Sequence, residues 1–196
     1  GESAGYYQRY YDSYREEKLY TSTSIARRFG DIWSGSASFG YSNVKLGDFG
    51  YNTPVQIRED RGPDNLWSMS AALTRTTITK LTRPGSGSRL VLDYANYGAL
   101  LGDVQFNRAR VDYTTYMTID RDFLGRISTL RLDGQVGWIF SGRAPTYERF
   151  YLGGRTLRGF EFRDVSPKGT PALPGGATDV PIGGDFMTFL GAQYQF

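Results

Sequence analysis

The stretch Ile127-Ser-Thr-Leu-Arg-Leu-Asp-Gly-Gln-Val-Gly-Trp-Ile-Phe140 decides the fold class of this chain. Its apolar side chains fall on one face of an extended strand and its polar side chains on the other. The apolar set is Leu130, Leu132, Val136, Trp138 and Phe140, and the polar set is Arg131, Asp133 and Gln135. Because successive side chains of a strand point to opposite faces, this pattern predicts a long β-strand between an apolar and a polar environment.

The same alternation recurs outward from this strand. It is clear over about 104–119 and 185–196, and it returns earlier in the chain over about 18–28, 32–43, 66–78 and 89–97. The tyrosine-rich opening, residues 6–15, alternates poorly but is also predicted as a strand. The sequence therefore predicts an all-β fold of about eight antiparallel strands, most of them exceeding the roughly 9–11 residues that cross a bilayer.

Composition favours a membrane barrel over a soluble sheet. The chain of 196 residues has 15 Tyr, 12 Phe, 3 Trp and 25 Gly, an excess typical of barrels with aromatic girdles at both membrane interfaces. Its mean hydropathy of −0.44 resembles that of a soluble protein, but a transmembrane barrel hides its apolar residues in every second position. No run of about eighteen apolar residues offers a membrane-spanning helix. A soluble β-sandwich is the alternative at this point.

Several function classes lack the residues they need. The chain has no Cys and no His, so it can form neither a disulfide nor a Ser-His-Asp triad nor a His-based zinc site. Its Asp and Glu residues do not cluster as metal ligands, and we therefore predict no cofactor and no enzyme activity. The net charge of +3 comes from 23 basic and 20 acidic residues that are well mixed, which is a poor footprint for nucleic acid.

A long irregular run, residues 143–184, separates the last two predicted strands. Runs of this length are uncommon in compact domains and indicate either a functional loop or disorder. Apolar residues such as Phe150, Leu157 and Phe160 argue for a loop that packs against another surface. Residues 44–65 form a second long loop, which is polar. Long loops that alternate with short turns are typical of outer-membrane barrels.

Three ordered motifs of the 143–184 loop carry a family resemblance. Glu148-Arg-Phe-Tyr-Leu-Gly-Gly154, Leu157-Arg-Gly-Phe160 and Arg163-Asp-Val-Ser-Pro167 resemble the signature loop of the BamA superfamily of outer-membrane assembly factors. Pro84-Gly-Ser-Gly-Ser-Arg-Leu90 and Ile182-Gly-Gly184 are also similar to segments of that family, so the resemblance covers about 66–196. The matching loop residues are Phe150, Tyr151, Gly153, Gly154, Leu157, Arg158, Gly159, Phe160, Asp164 and Pro167.

The resemblance implies an antiparallel transmembrane β-barrel of the bacterial outer membrane with one long loop folded inward. In that family, the resemblance implies, a barrel of sixteen strands follows POTRA domains. This chain, residues 1–196, has no POTRA domain and about eight strands, so we expect either a portion of such a barrel or a small barrel of eight strands. The implied partners are outer-membrane lipid, client β-barrel proteins and the lipoproteins of an assembly complex.

The function implied by the resemblance is protein assembly and insertion without covalent chemistry, through strand-edge templating and membrane perturbation. Two other functions stay open: a two-partner-secretion transporter, whose loop motif is similar, and a structural eight-stranded barrel with a filled interior.

Arg158 is the candidate functional residue of the loop. An arginine carried into a barrel must find an anion, because an unpaired buried charge is costly. The acidic partners of the family's loop arginine lie on strands that are missing here, so we predict that Asp133 or Asp112 replaces them. The alternative is that Arg158 only staples the loop inside the barrel.

Overall fold

One antiparallel sheet dominates the computed structural model, which describes residues 1–79, 84–121, 123–124, 126–154, 156–176 and 179–196, without the side chains of 99 and 100. The strands are β1 (Glu2–Tyr10), β2 (Arg15–Phe29), β3 (Trp33–Gly47), β4 (Asp64–Thr76), β5 (Gly87–Gly102), β6 (Phe106–Arg121), β7 (Ile127–Phe140) and β8 (Phe186–Gln195). Each strand pairs with its neighbours in sequence, in the order β1 to β8. The predicted all-β antiparallel architecture is confirmed.

The sheet is open at both edges. In the described part of the chain, β1 pairs only with β2, and β8 pairs only with β7. The residues present therefore do not close into the eight-stranded barrel that the sequence left as one possibility. The sixteen strands of a complete barrel rest on the resemblance alone.

The outer face of the sheet is apolar across all its strands. Register places Phe39 beside Met69, Leu92 beside Val111, and Val111 beside Val136, so the apolar positions of neighbouring strands form one continuous surface. These side chains are exposed although they are apolar; further members are Ile25, Tyr94, Trp138, Phe186 and Leu190. An exposed apolar surface of this extent marks a contact with membrane or protein, and here it fits the lipid side of a barrel wall.

Aromatic rings border this face near both of its ends. At the β3–β4 end, Trp67 lies 4.8 Å from Tyr41 and 5.4 Å from Phe39 between ring centroids. At the opposite end, the rings of Tyr194 and Phe196 are 6.0 Å apart. Rings with one apolar and one wet side prefer the membrane–water interface, so their positions define the band that lipid would cover.

The inner face carries the charges. Arg110 binds Asp112 at 2.8 Å and Arg131 binds Asp133 at 2.8 Å, each pair lying two residues apart on its own strand. Both ion pairs therefore form along one strand and not across neighbouring strands. Side chains at i and i+2 share a face of a strand, and the long arginine side chain can reach back along it.

Two strands extend further than the alternation predicts. β3 continues to Gly47, so the second long loop spans 48–63 and includes the short helix α1 (Val55–Glu59). β5 continues to Gly102 past Gly98, whose φ of +78° accompanies a register shift against β4 between Leu66 and Ser68. The connections from β4 to β5 and from β6 to β7, where the sequence predicts turns near 83–88 and 120–125, lie partly outside the described residues.

The buried core lies at one end of the sheet, beneath the two long loops. Its members come from β3, β4, both loops and the β1–β2 turn: Tyr14, Val44, Leu46, Ile57, Leu66, Tyr147 and Ile182. A smaller cluster joins Phe106, Ile139 and Ala144, with Phe150 packed against it. The loops thus complete the core that the sheet alone lacks, and this fixes the 141–185 loop on the inner face.

Candidate functional site

The loop between β7 and β8, residues 141–185, enters the inner face through a single 3₁₀ turn, Thr146–Glu148. Isolated β-bridges then hold it at Phe150–Gly184, Leu152–Val165 and Lys168–Pro181. The loop is therefore an ordered segment with its own backbone pairing, which agrees with the packed character that its apolar residues indicate.

Glu148 anchors the loop to three strands. Its carboxylate accepts hydrogen bonds from Lys18 Nζ at 3.0 Å, Arg108 Nη1 at 3.1 Å and the Tyr97 hydroxyl at 3.3 Å. Its side chain is only 10% exposed. Lys18 belongs to β2, Tyr97 to β5 and Arg108 to β6, so one carboxylate ties the loop to well-separated parts of the inner face. Charge-assisted bonds of this kind are about twice as strong as neutral ones.

Phe150 packs its ring against the backbone of β7. A Cβ atom added to Gly137 would come within 2.6 Å of the Phe150 ring, so the absence of a side chain there creates the space for it. The backbone of Phe150 exchanges two hydrogen bonds with Gly184, at 3.0 and 2.9 Å. Tyr151 follows and donates its hydroxyl to the Thr146 carbonyl at 2.7 Å.

A small hairpin follows, closed by two backbone hydrogen bonds of 3.1 Å between Leu152 and Val165. Gly153 has a φ of +122°, and a Cβ there would lie 2.1 Å from the Glu161 carbonyl oxygen. Gly154 has a φ of +59° and donates its N–H to the Phe160 carbonyl at 3.0 Å. This geometry explains the glycine pair, since the first position admits no side chain and both use left-handed backbone.

The loop tip, residues 156–160, projects from this hairpin. Arg158, Gly159 and Phe160 are exposed, and Leu157 is half-buried. Gly159 has a φ of +92°, and among the described residues beyond its chain neighbours a Cβ atom added to it would meet no atom within 4 Å, so the backbone turns there in open space. The residues of the tip are thus more exposed than the residues that precede them, 150–154.

Arg158 does not form the predicted pairs. Among the described residues it has no carboxylate within 4.0 Å. Asp133 is bound by Arg131 and Thr114, and Asp112 is bound by Arg110. Arg158 and Asp133 do line the same cleft of about 440 Å³ between the tip and β7–β8. The strand arginines occupy both carboxylates in this structure, and the pairing of Arg158 with Asp133 or Asp112 stays a prediction.

The last two motif residues serve the return of the loop to β8. Asp164 binds Lys168 at 2.7 Å on the surface. The Pro167 carbonyl accepts the Ile182 N–H at 3.0 Å. Both contacts are local to the loop, so they shape it without tying it to the sheet.

The 48–63 loop packs against the base of the 141–185 loop. Asp60 accepts the Thr146 N–H at 2.7 Å, and Asp64 at the start of β4 accepts the Tyr147 hydroxyl at 2.6 Å. Burial, reinforced by the bond to Asp64, raises the pKa of Tyr147 above its ordinary value, so this hydroxyl remains a donor. Val55 and Thr170 join the two loops through a backbone hydrogen bond of 3.0 Å.

Arg163 is an engaged residue that the sequence argument missed. Its guanidinium lies 4.4 Å from the centroid of the Tyr151 ring and 5.0 Å from that of Tyr11. The tyrosine-rich turn between β1 and β2 was the available signal, because a surplus of rings near a strand end offers faces to a cation. Glu148 gave a weaker signal, as the acidic residue that directly precedes the packed segment Arg149–Leu152.

The described residues hold no group of three or more acidic, His or Cys side chains that could bind a metal ion. No helix within the described ranges is long and apolar enough to span a membrane. The arrangement offers positioned charges and rings on the inner face and an apolar outer face.

The Omp85 superfamily domain matches residues 4–196, nearly the whole chain. This chain belongs to the Omp85 superfamily. It is thus part of a bacterial outer-membrane β-barrel protein.

Two relatives of this Omp85 chain are larger than it is. The outer membrane protein assembly factor BamA of Nitratidesulfovibrio vulgaris is 24% identical over 99% of the chain, which spans only 24% of that protein. The crystal structure of BamA from Haemophilus ducreyi lacking POTRA domains 1–3 superposes with a TM-score of 0.74 at 16% identity, over 89% of this chain and 36% of its own. At that identity the second likeness concerns the fold alone.

Proposed function

We propose that this chain is the loop-bearing part of the barrel of an outer-membrane protein assembly factor, and that it works without covalent chemistry. The observation that carries the proposal is the anchored loop: Glu148 and its three donors fix residues 146–153 on the inner face of an Omp85 sheet. Membership of the superfamily and the BamA relatives support the same activity.

In this proposal, client β-barrel proteins fold at strand edges. An edge strand exposes unpaired N–H and C=O groups that template a further strand. The apolar outer face perturbs the lipid beside that edge and lowers the barrier to insertion. Lipoproteins of the assembly complex bind the parent protein, and nucleic acid has no part.

The loop tip carries a charge that needs a partner. Arg158 is exposed, and the described residues give it no ion pair. We place a carboxylate partner for Arg158 in the working barrel, with Asp133 as the candidate within this chain because it lines the same cleft. Asp112 does not line that cleft and is the weaker candidate.

The test is client insertion into liposomes by the full-length protein, comparing wild type with Arg158→Ala. We expect slower insertion of an unfolded client barrel by the variant, measured as the rate at which folded client accumulates. Glu161→Ala, an exposed residue of the same loop, is the matched control. Equal rates for wild type and Arg158→Ala would contradict a functional role for the tip. Export of a soluble passenger without client insertion would instead favour the secretion transporter.

A further inference from the structure

Arg163 lies in an aromatic cage formed by Tyr11, Tyr151 and Phe162. The guanidinium carbon is 5.0, 4.4 and 5.6 Å from the three ring centroids, respectively. One guanidinium nitrogen also donates to the Tyr14 hydroxyl at 3.5 Å. The described residues place no carboxylate oxygen within 4.0 Å of Arg163, so ring faces and a hydroxyl stabilise its charge.

A buried carboxylate stands behind the cage. Glu16 is only 3% exposed and accepts hydrogen bonds from the hydroxyls of Tyr7 at 2.9 Å and Tyr11 at 3.2 Å. Tyr11 therefore presents its ring to the cation and its hydroxyl to the anion. The cage is joined to β1 through Tyr7 and to β2 through Glu16, which makes it a part of the sheet.

The backbone of Arg163 is held in an uncommon conformation. Its φ is +65°, in the left-handed region that residues other than glycine rarely adopt. Such a position persists only where the surroundings determine it. The contacts of the Arg163 side chain with the Tyr11 ring and the Tyr14 hydroxyl leave the loop, so they are the natural source of that constraint.

The cage joins the loop to the turn between β1 and β2. Tyr11 directly follows β1, whereas Tyr151 and Phe162 belong to the loop that leaves β7. β1 pairs with β2, and its end gains an additional contact with the loop through the Tyr11 ring. The loop therefore crosses the inner face from the β7–β8 side to the β1–β2 turn.

We propose that Arg163 is a positioning residue that fixes the loop on the β1–β2 turn, and that this contact couples the position of the loop to the pairing of β1 with β2. When Arg163 leaves the cage, the hairpin 150–165 and β1 open together. The consequence for client insertion rests on the proposed function; the contact and the coupling do not.

Hydrogen exchange followed by mass spectrometry on the full-length protein in liposomes tests this coupling. Arg163→Gly removes the guanidinium and relieves the left-handed backbone at once. We expect exchange to rise about tenfold, as for the loss of a few ring contacts of this kind, in peptides covering both 150–165 and 2–10. Exchange in β5 and β6 should stay unchanged. Arg158→Gly, at the exposed tip, is the matched control and should leave β1 unchanged.

Chemical rescue separates a cation site from general loosening. Millimolar methylguanidinium should restore protection to Arg163→Gly, because it can occupy the vacated cage, and should fail when Tyr11→Ala is added. If Arg163→Gly does not assemble, Tyr11→Leu removes one ring with the arginine in place and should also speed exchange in both segments.

Unchanged exchange in β1, or faster exchange in the loop alone, would overturn the coupling. Equal effects of Arg158→Gly and Arg163→Gly would overturn the assignment to Arg163, and so would failure of methylguanidinium to rescue. If the wild-type protein inserts no client, the proposed function is wrong, but the exchange results still test the coupling.

Discussion

The base and the tip of the same loop each carry a charged residue, but the two residues are held very differently. At the base, Glu148 is almost buried and has three donors from β2, β5 and β6. At the tip, Arg158 is exposed, and the described residues give it no ion pair. The difference shows that the loop is anchored before its most recognisable motif begins. The tip is therefore accessible to a partner that the complete barrel supplies.

The largest effect should come from the base. Glu148→Ala leaves Lys18 and Arg108 on the inner face without their carboxylate, and removing one partner of a largely buried charge pair costs about 3 kcal/mol. We expect urea unfolding of the full-length protein in liposomes to show a loss of this order, with earlier proteolysis of the loop. Glu161→Ala should change the unfolding free energy by less than about 0.5 kcal/mol. An equal loss in both variants would mean that Glu148 is not the anchor.

Alanine substitution of one glycine in each region should separate the cost of backbone strain from the cost of steric crowding. Gly153 and Gly159 both have positive φ, of +122° and +92°, but only Gly153 has a backbone oxygen 2.1 Å from a would-be Cβ. Alanine strains the backbone at both positions. At Gly153 it also forces the hairpin apart, which should cost about 1–3 kcal/mol more. Comparing the unfolding free energies of the two alanine variants measures that difference, and similar values would show that the hairpin yields easily.

The smallest effect on stability should come from the tip itself. Arg158→Ala removes an exposed side chain with no ion pair in the described residues, so we expect its unfolding free energy to stay within about 0.5 kcal/mol of wild type. Slower client insertion at unchanged stability would assign Arg158 to function. A loss of stability comparable to that of Glu148→Ala would show that the tip is an anchor too.

Sequence patterns predicted the strands well because a lipid-facing wall demands an apolar residue at every second position. Strand limits were harder where the alternation stops. β3 runs on to Gly47 because Val44 and Leu46 turn inward to the buried core under the loops. β5 runs on because Gly98 bends the strand at a positive φ, which no alternation encodes.

The partners of the loop could not be predicted in the same way. Lys18 and Glu148 are separated by 130 residues, and no local pattern specifies that they meet. The arginine of the Leu157–Phe160 motif drew attention through family resemblance, whereas Arg163 depends on a turn at the far end of the chain. The tyrosines of that turn are visible in the sequence, but only the fold shows that they contact Arg163.

The Lys18–Glu148 contact also bears on the order in which the segment assembles. Contacts of large sequence separation form late, because a long stretch of chain must be brought together first. Lys18, Tyr97 and Arg108 face one carboxylate only after the strands from β2 to β6 have paired in register. We therefore expect the loop to bind the inner face after these strands have paired, so that its protection from proteolysis would report their pairing.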